Sequence, residues 1–117
     1  MTIKVALSGA VGHMGRRVGD ALNAMEGVEF VAGLVRTSQE TAIGCKAPLS
    51  EDVETTLNAC DVLIDFTNFD RTLALAALCA DAGHPLFVGT TAPTIVARGA
   101  LEGFAADIPI LYAPNVS

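Results

Sequence analysis

The feature that most constrains this chain is a glycine-rich segment that follows a short apolar run near its amino terminus. The run spans residues 3–8, and glycines then fall at Gly9, Gly12 and Gly15. This G-x-x-G-x-x-G spacing is a variant of the G-x-G-x-x-G pattern, in which a strand turns sharply into a helix and a pyrophosphate approaches the main chain. Gly9 permits a backbone angle that a Cβ would forbid, and the N–H groups at the helix start face an anion. The segment predicts a dinucleotide-binding turn, against the alternative of a bare structural turn.

The rest of the sequence alternates short apolar runs with helical patterns. Including the first run, strands are predicted at 3–8, 28–35, 47–49, 61–66, 86–88 and 108–112, and helices at 13–26, 51–58, 70–82 and 93–106. Such alternation with short connections is typical of parallel strands joined by right-handed crossovers. We therefore predict one α/β domain over 1–117, a Rossmann-like doubly wound parallel sheet of about six strands in the order 3-2-1-4-5-6, with helices on both faces.

Local residues predict where the helices begin, end and pack. Ser50 and Asp70 are predicted N-caps, Pro93 is predicted in the first turn of the last helix, and Gly83 is predicted to end the third. Gly15 should let the first helix lie close to the first strand. That helix should bury an apolar stripe at i, i+3, i+4 and i+7, formed by Val18, Ala21, Leu22 and Met25.

Composition limits the partners and the location of the chain. Hydrophobic residues make up 51% of the 117 residues and charged residues 17%, which indicates a packed globular domain. The net charge of −6 argues against a nucleic-acid or anionic membrane surface as partner. No apolar run approaches the ~20 residues of a membrane span. The amino terminus runs directly into a strand, so we expect no signal peptide and a cytoplasmic location.

The cysteines and histidines do not suggest a metal site. Cys45, Cys60 and Cys79 have no C-x-x-C spacing, and His13 and His84 are the only histidines. Cys60 and Cys79 are therefore predicted as small core residues. His84 falls at a helix-to-strand turn and is predicted to be structural. His13 lies in the glycine segment, where it can contact a pyrophosphate or point to solvent.

Polar and glycine residues follow the predicted strands at their carboxyl ends. In a doubly wound sheet ligands bind at this edge, at the switch point between the first and fourth strands. Besides the glycine segment, the strand ends are Val35-Arg36-Thr37, Asp65-Phe66-Thr67-Asn68, Gly89-Thr90-Thr91 and Ala113-Pro114-Asn115-Val116-Ser117. Together they predict a long cleft suited to a dinucleotide.

Arg36 bears on which dinucleotide is preferred. An acidic residue at the end of the second strand favours NAD by accepting hydrogen bonds from ribose hydroxyls, but Val35 stands there. A guanidinium can pair with a 2′-phosphate through two hydrogen bonds, so Arg36 favours NADPH over NADH. The alternative is that Arg36 is a solvated loop charge.

Two other strand ends allow two interpretations each. Asp65 can be an acid or base, but a single carboxylate at a strand end more often orders the local turn by accepting backbone hydrogen bonds. We prefer the ordering role. The segment 89–91 offers neutral hydrogen bonds suited to a ribose or a nicotinamide carboxamide, and its alternative is a simple strand-ending turn.

Together these segments resemble the N-terminal domain of dihydrodipicolinate reductase (4-hydroxy-tetrahydrodipicolinate reductase), an NAD(P)H-dependent oxidoreductase of lysine and diaminopimelate biosynthesis. The matching segments are 5–16, 65–67, 89–91 and 113–117. Many family members carry an acidic residue before the arginine, and Val35 departs from that pattern. The resemblance implies that cofactor is bound by Gly9, Ala10, Val11, Gly12, His13, Met14, Arg36, Phe66, Gly89, Thr90, Thr91, Ala113, Pro114, Asn115 and Val116.

The resemblance also implies a second domain that these residues do not include. In the family a substrate domain follows the A-x-N-x-S segment and carries paired histidines with a nearby lysine, whereas the lysines here are Lys4 and Lys46. Residues 1–117 are then the cofactor domain alone, with no catalytic residue and no turnover by itself. The parent protein would be a homotetramer and this chain a monomer or weak dimer. The alternatives are a stand-alone NADP(H)-binding regulatory module and the cofactor domain of another two-domain dehydrogenase.

Overall fold

The described residues fold as a six-stranded parallel sheet flanked by four helices. The computed structural model describes residues 2–9, 13–36 and 47–114. Of His13 it describes the backbone alone. The strands pair in the order β3-β2-β1-β4-β5-β6, and every pair is parallel. The predicted doubly wound fold is therefore confirmed. In chain order the elements are β1 Ile3–Ser8, α1 His13–Ala24, β2 Val28–Leu34, β3 Leu49–Ser50, α2 Val53–Ala59, β4 Val62–Asp65, α3 Phe69–Ala82, β5 Leu86–Val88, α4 Ile95–Gly103 and β6 Ile110–Tyr112.

Helices cover both faces of the sheet, as predicted. On one face α1 packs closely, since a Cβ added at Gly19 would lie 3.0 Å from the ring of Phe30, which pairs with Val5 of β1. The main core lies on the other face, where α2, α3 and α4 pack. Its fully or nearly fully buried leucines come from both layers: Leu57, Leu63, Leu75, Leu86 and Leu101.

The face that carries α1 stays apolar beyond the reach of that helix. Strand register aligns Leu7, Ile64, Phe87 and Leu111 in one row across β1, β4, β5 and β6. Leu7 is 0% exposed, whereas Leu111 at the far end is 58% exposed. Within the ranges that the structure describes, α1 is the helix on this face, and it packs on β1 and β2. Exposure of the row therefore increases away from α1.

The two predicted N-caps of the middle helices are wrong by two residues. Asp52 caps α2, because its carboxylate accepts the Glu54 N–H at 3.1 Å, while Ser50 accepts the Asp52 N–H. Asn68 caps α3, with φ −130° and ψ 162°, and the predicted cap Asp70 lies inside the first turn. An N-cap residue lies where the backbone is still extended. This condition selects Asn68 over Asp70 at α3. At α2 it selects Asp52 over Ser50.

Other element ends differ by smaller amounts. Gly83 ends α3 in the left-handed conformation at φ 67°, which confirms that prediction. Pro93 lies before α4 and not in its first turn, because Thr94 is the N-cap. Residues 104–106 form a separate 3-10 turn after α4. Strands β1 and β5 have their predicted bounds, and the remaining strands differ by one or two residues at an end.

The apolar stripe predicted for α1 is only partly correct. Leu22 is buried and Val18 half-buried, but Ala21 and Met25 are exposed. The reason is that α1 turns two buried glycines, Gly15 and Gly19, toward the sheet. Glycines one turn apart allow the closest approach of helix and sheet, so they determine which face is buried. The close packing predicted at Gly15 agrees with its burial.

Cys60 and Cys79 are buried free thiols, as predicted. Burial raises the pKa of Cys60 to about 11 and that of Cys79 to about 12, so both stay protonated at neutral pH. The ring nitrogens of His84 lie 2.9 Å from the carbonyl oxygens of Pro85 and Cys60. These contacts join the turns before β4 and β5, which supports the structural interpretation of His84. Cys45 lies outside the described residues.

Candidate functional site

The described residues contain neither a helix suited to a membrane nor a group of metal ligands. In residues 2–9, 13–36 and 47–114, no helix has both the length and the apolar character that crossing a bilayer requires. The same ranges hold no group of three or more His, Cys, Asp or Glu side chains placed to share a metal ion. The chemistry that these residues offer lies at the carboxyl edge of the sheet.

A cavity of about 270 Å³ opens at this edge. Its walls come from the start of α1, the turn after β4, the loop after β5 and the loop after β6. Three of the strand ends that the sequence predicts to share one cleft, those of β4, β5 and β6, therefore lie together. The lining residues are Met14, Phe66, Thr67, Gly89, Thr90, Thr91 and Pro114.

The other predicted site residues lie beside this cavity or outside the described residues. Gly9 adjoins Phe66, and Ala113 follows β6, where its N–H donates to the Val88 carbonyl at 2.9 Å. Arg36 is exposed just after β2 and does not line the cavity. Predicted positions that the structure does not describe are Ala10, Val11, Gly12, Asn115, Val116 and the side chain of His13.

Thr67 lines the cavity, although the sequence does not place it among the predicted cofactor contacts. The Asp65-Phe66-Thr67 segment is a predicted strand end, and its last residue reaches the cavity wall. Its place beside the predicted contact Phe66 in the segment that follows β4 is the signal that identifies Thr67.

Phe66 lies between two glycines that have no room for a side chain. Gly9 has φ +87°, which confirms the predicted special backbone angle, and a Cβ there would lie 2.7 Å from the Phe66 carbonyl oxygen. A Cβ at Gly89 would overlap the Phe66 ring, with 2.6 Å to Cδ1 and Cζ. Gly9 therefore accommodates the Phe66 backbone, and Gly89 accommodates its ring.

Asp65 orders the turn after β4, the role preferred from the sequence, but its partners are mainly side-chain hydroxyls and not the predicted backbone N–H groups. The residue is 0% exposed, its Oδ1 accepts the Thr67 hydroxyl at 2.7 Å, and its Oδ2 accepts the Thr72 hydroxyl. Burial raises the pKa of this carboxyl, and hydrogen bonds from Thr72, Thr67 and Ser8 oppose the rise. A carboxylate enclosed in this way has no open path to a substrate.

Thr90 supplies a test of whether a polar ligand fits the cavity. Among the described residues, its Oγ1 and Arg71 Nε are the buried side-chain polar atoms without a hydrogen-bond partner. A buried hydroxyl left unpaired costs free energy, and native structures rarely contain one. Thr90 lines the cavity, and its shielded hydroxyl would have to turn toward the cavity to bond a polar ligand group there.

Tyr112 holds the loop that carries Thr90. Its hydroxyl accepts the Ala92 N–H at 2.9 Å, directly after Thr91. The Arg98 guanidinium lies 5.1 Å from the centre of the Tyr112 ring, and it also pairs with Glu102 at 3.1 Å. The ring is thereby packed from the α4 side, and its hydroxyl fixes the end of the β5 loop.

We predict that Tyr112→Phe speeds hydrogen exchange at the Ala92 amide by about fivefold. The change removes one neutral hydrogen bond, worth ~1 kcal/mol, and leaves the ring in place. Exchange measured by NMR tests this, with Glu102→Gln as the control, since it perturbs Arg98 but keeps the hydroxyl. Equal exchange rates in the two variants would contradict the prediction.

The fold and the position of the cavity define a dinucleotide-binding domain of the doubly wound class. The sequence profile of the family described as "Dihydrodipicolinate reductase, N-terminus" matches residues 3–116. The chain belongs to this family, which confirms the resemblance seen in the sequence.

Individual relatives agree with the family assignment. The chain is 34% identical to 4-hydroxy-tetrahydrodipicolinate reductase of Alkalilimnicola ehrlichii, over 100% of the chain and 48% of that protein. It is 35% identical to the reductase of the same name from Geobacter sp. (strain M21), over 98% and 47%. Dipicolinate-bound dihydrodipicolinate reductase from Paenisporosarcina sp. TG-14 superposes with a TM-score of 0.80 at 23% identity, over 98% and 48%. The chain spans about half the length of the curated relatives it matches.

Proposed function

We propose that this chain is the nicotinamide-dinucleotide-binding domain of a 4-hydroxy-tetrahydrodipicolinate reductase. This proposal is supported by the family match over residues 3–116 together with the cavity at the carboxyl ends of the strands. In this proposal residues 1–117 form a single cofactor domain. The paired histidines and lysine that the resemblance implies for the substrate belong to a separate domain, and the 117 residues alone give no turnover.

The residues present fit a nicotinamide dinucleotide. The glycine segment that begins at Gly9 would hold the pyrophosphate at the start of α1. Phe66 and the β5 loop would position the nicotinamide side, where the unpaired Thr90 hydroxyl needs a partner. When bound, the cofactor supplies a hydride for reduction of a cyclic imine-type dicarboxylate. The contribution of this chain is to bind and orient.

We propose further that NADPH is preferred over NADH. Val35 is 4% exposed and apolar, so the end of β2 lacks a carboxylate for the ribose hydroxyls. Arg36 follows directly and is exposed, with a guanidinium that can pair with a 2′-phosphate. The cytoplasmic location and the monomeric or weakly dimeric state stay predictions.

Calorimetric titration of the 117-residue chain with NADPH and NADH tests both proposals. We predict tighter binding of NADPH and loss of the difference in Arg36→Ala, by about tenfold or more. A charge-assisted hydrogen bond contributes ~1.5–3 kcal/mol, which corresponds to that factor. Lys4→Ala is the matched control, because it removes the same charge at the amino end of β1.

The outcomes separate the two proposals. If neither nucleotide binds the folded chain at millimolar concentration, dinucleotide binding is wrong. If both bind equally, and Arg36→Ala behaves like Lys4→Ala, the domain assignment stands and the NADPH preference is wrong.

A further inference from the structure

Asp65 connects the end of β1, the turn after β4 and the loop after β5 through its hydrogen bonds. Its main-chain carbonyl accepts the Gly89 N–H at 2.9 Å, which ties β4 to the β5 loop. Its side chain takes hydroxyl hydrogen bonds from Thr67 in the next turn, Thr72 in α3 and Ser8 at the end of β1. One buried residue thus ties the end of β1 to two walls of the cavity, the turn after β4 and the loop after β5.

The bond to Asp65 also orients Thr67. With its hydroxyl turned toward Asp65, Thr67 presents its methyl group to Gly9, so that a Cβ at Gly9 would lie 3.4 Å from it. Thr67 lines the cavity, and its neighbour Phe66 contacts both Gly9 and Gly89. The rotamer of Thr67 therefore shapes the part of the cavity wall that lies beside Gly9.

We propose that Asp65 is a positioning residue for dinucleotide binding, acting through Thr67 and Thr72. Thr72 fixes the carboxylate against α3, and the carboxylate then fixes the cavity wall at Thr67. The proposal rests on the proposed function, since it concerns the same cavity. It assigns Asp65 no contact with the cofactor.

Thr56 in α2 occupies a position equivalent to that of Thr72 in α3. Thr56 and Thr72 are both fully or nearly fully buried, at 1% and 0% exposure. Each lies four residues after the N-cap of its helix, and each hydroxyl oxygen lies within hydrogen-bond distance of the cap carbonyl, at 2.8 Å from Asp52 and 3.1 Å from Asn68. Thr72 differs in that its one hydroxyl proton has a second and nearer acceptor, the carboxylate of Asp65. Valine at either position removes a buried hydroxyl with the same change in shape.

The experiment compares Thr72→Val with Thr56→Val by NADPH titration, followed by nicotinamide fluorescence, and by thermal unfolding. We expect Thr72→Val to lose more thermal stability than Thr56→Val, because it also removes a hydrogen bond to the buried Asp65, and it should weaken NADPH binding by about tenfold. Thr56→Val should bind as the unmodified chain does. Thr72→Ser keeps the hydroxyl and should restore binding to within about twofold.

The result that would overturn the proposal is equal NADPH affinity in Thr72→Val and Thr56→Val. Failure of Thr72→Ser to restore binding would also overturn it, because the methyl group and not the hydroxyl would then matter. An unmodified, folded chain that binds no nucleotide would remove the proposed function itself, and this inference with it. Affinity of the unmodified chain is therefore measured first.

Discussion

Gly89→Ala is expected to weaken dinucleotide binding by about tenfold to a hundredfold, with little loss of fold stability. The added Cβ would overlap the Phe66 ring, including Cδ1 and Cζ at 2.6 Å. The ring is half-buried and borders a cavity of about 270 Å³, so it can move into that space. Overpacking costs ~1–3 kcal/mol. Here that cost lowers the free energy of binding and not that of folding, because the ligand needs the space into which the ring has moved.

The control for Gly89→Ala is Gly99→Ala in the middle of α4. A Cβ at Gly99 would have no atom within 4 Å. This variant should bind nucleotide normally and gain ~0.5–1 kcal/mol in the free energy of unfolding, the usual preference for alanine over glycine in a helix. Unchanged NADPH affinity in Gly89→Ala, measured by the same titration, would show that the Phe66 ring does not shape the binding site.

Gly9→Ala is expected to lower the free energy of unfolding by ~3 kcal/mol and to abolish measurable nucleotide binding. Gly9 has φ +87°, and its added Cβ would lie 2.7 Å from the Phe66 carbonyl oxygen. That carbonyl cannot move freely, because the Phe66 N–H donates to Ser8 at 3.0 Å. The cost combines left-handed strain with a collision against backbone. For a domain whose total stability is ~5–15 kcal/mol, this loss is large.

Gly83→Ala separates the two contributions at Gly9. Gly83 has φ +67°, but a Cβ there would meet nothing within 4 Å. Its replacement should cost only the strain, ~1 kcal/mol, and should leave binding intact. Urea unfolding of both variants gives the comparison, and equal losses would mean that the contact between Gly9 and Phe66 is unimportant.

The sheet order and the ligand edge were predictable because their signals are local. The apolar run 3–8 and the glycine that follows it indicate a buried strand and a sharp turn without reference to distant residues. The cap of α3 was harder, since Asn68 and Asp70 can both accept a helix N–H. The choice depends on where the backbone leaves the extended conformation, which composition does not reveal.

The interior of the site was not predictable, because its contacts join residues far apart in sequence. Phe66 and Gly89 are in contact across two strand ends, and the fit depends on the direction of the ring. Thr72 is an ordinary helical threonine in the sequence, and its bond to Asp65 becomes visible only when α3 packs on β4. The predicted roles of the glycine segment and Arg36 in cofactor binding stay predictions.

Exposure increases along the row from Leu7 to Leu111, so the sheet is well packed at β1 and poorly packed at its β6 edge. Local opening of a protein begins where few apolar groups are buried, so β6 should separate before β1 and β4 do. Separation of β6 carries Tyr112 away and releases Ala92, which it holds beside the β5 loop. The loop that carries Thr90 would then lose its ordered structure in a partial opening of the domain, at temperatures where most of the sheet is still folded.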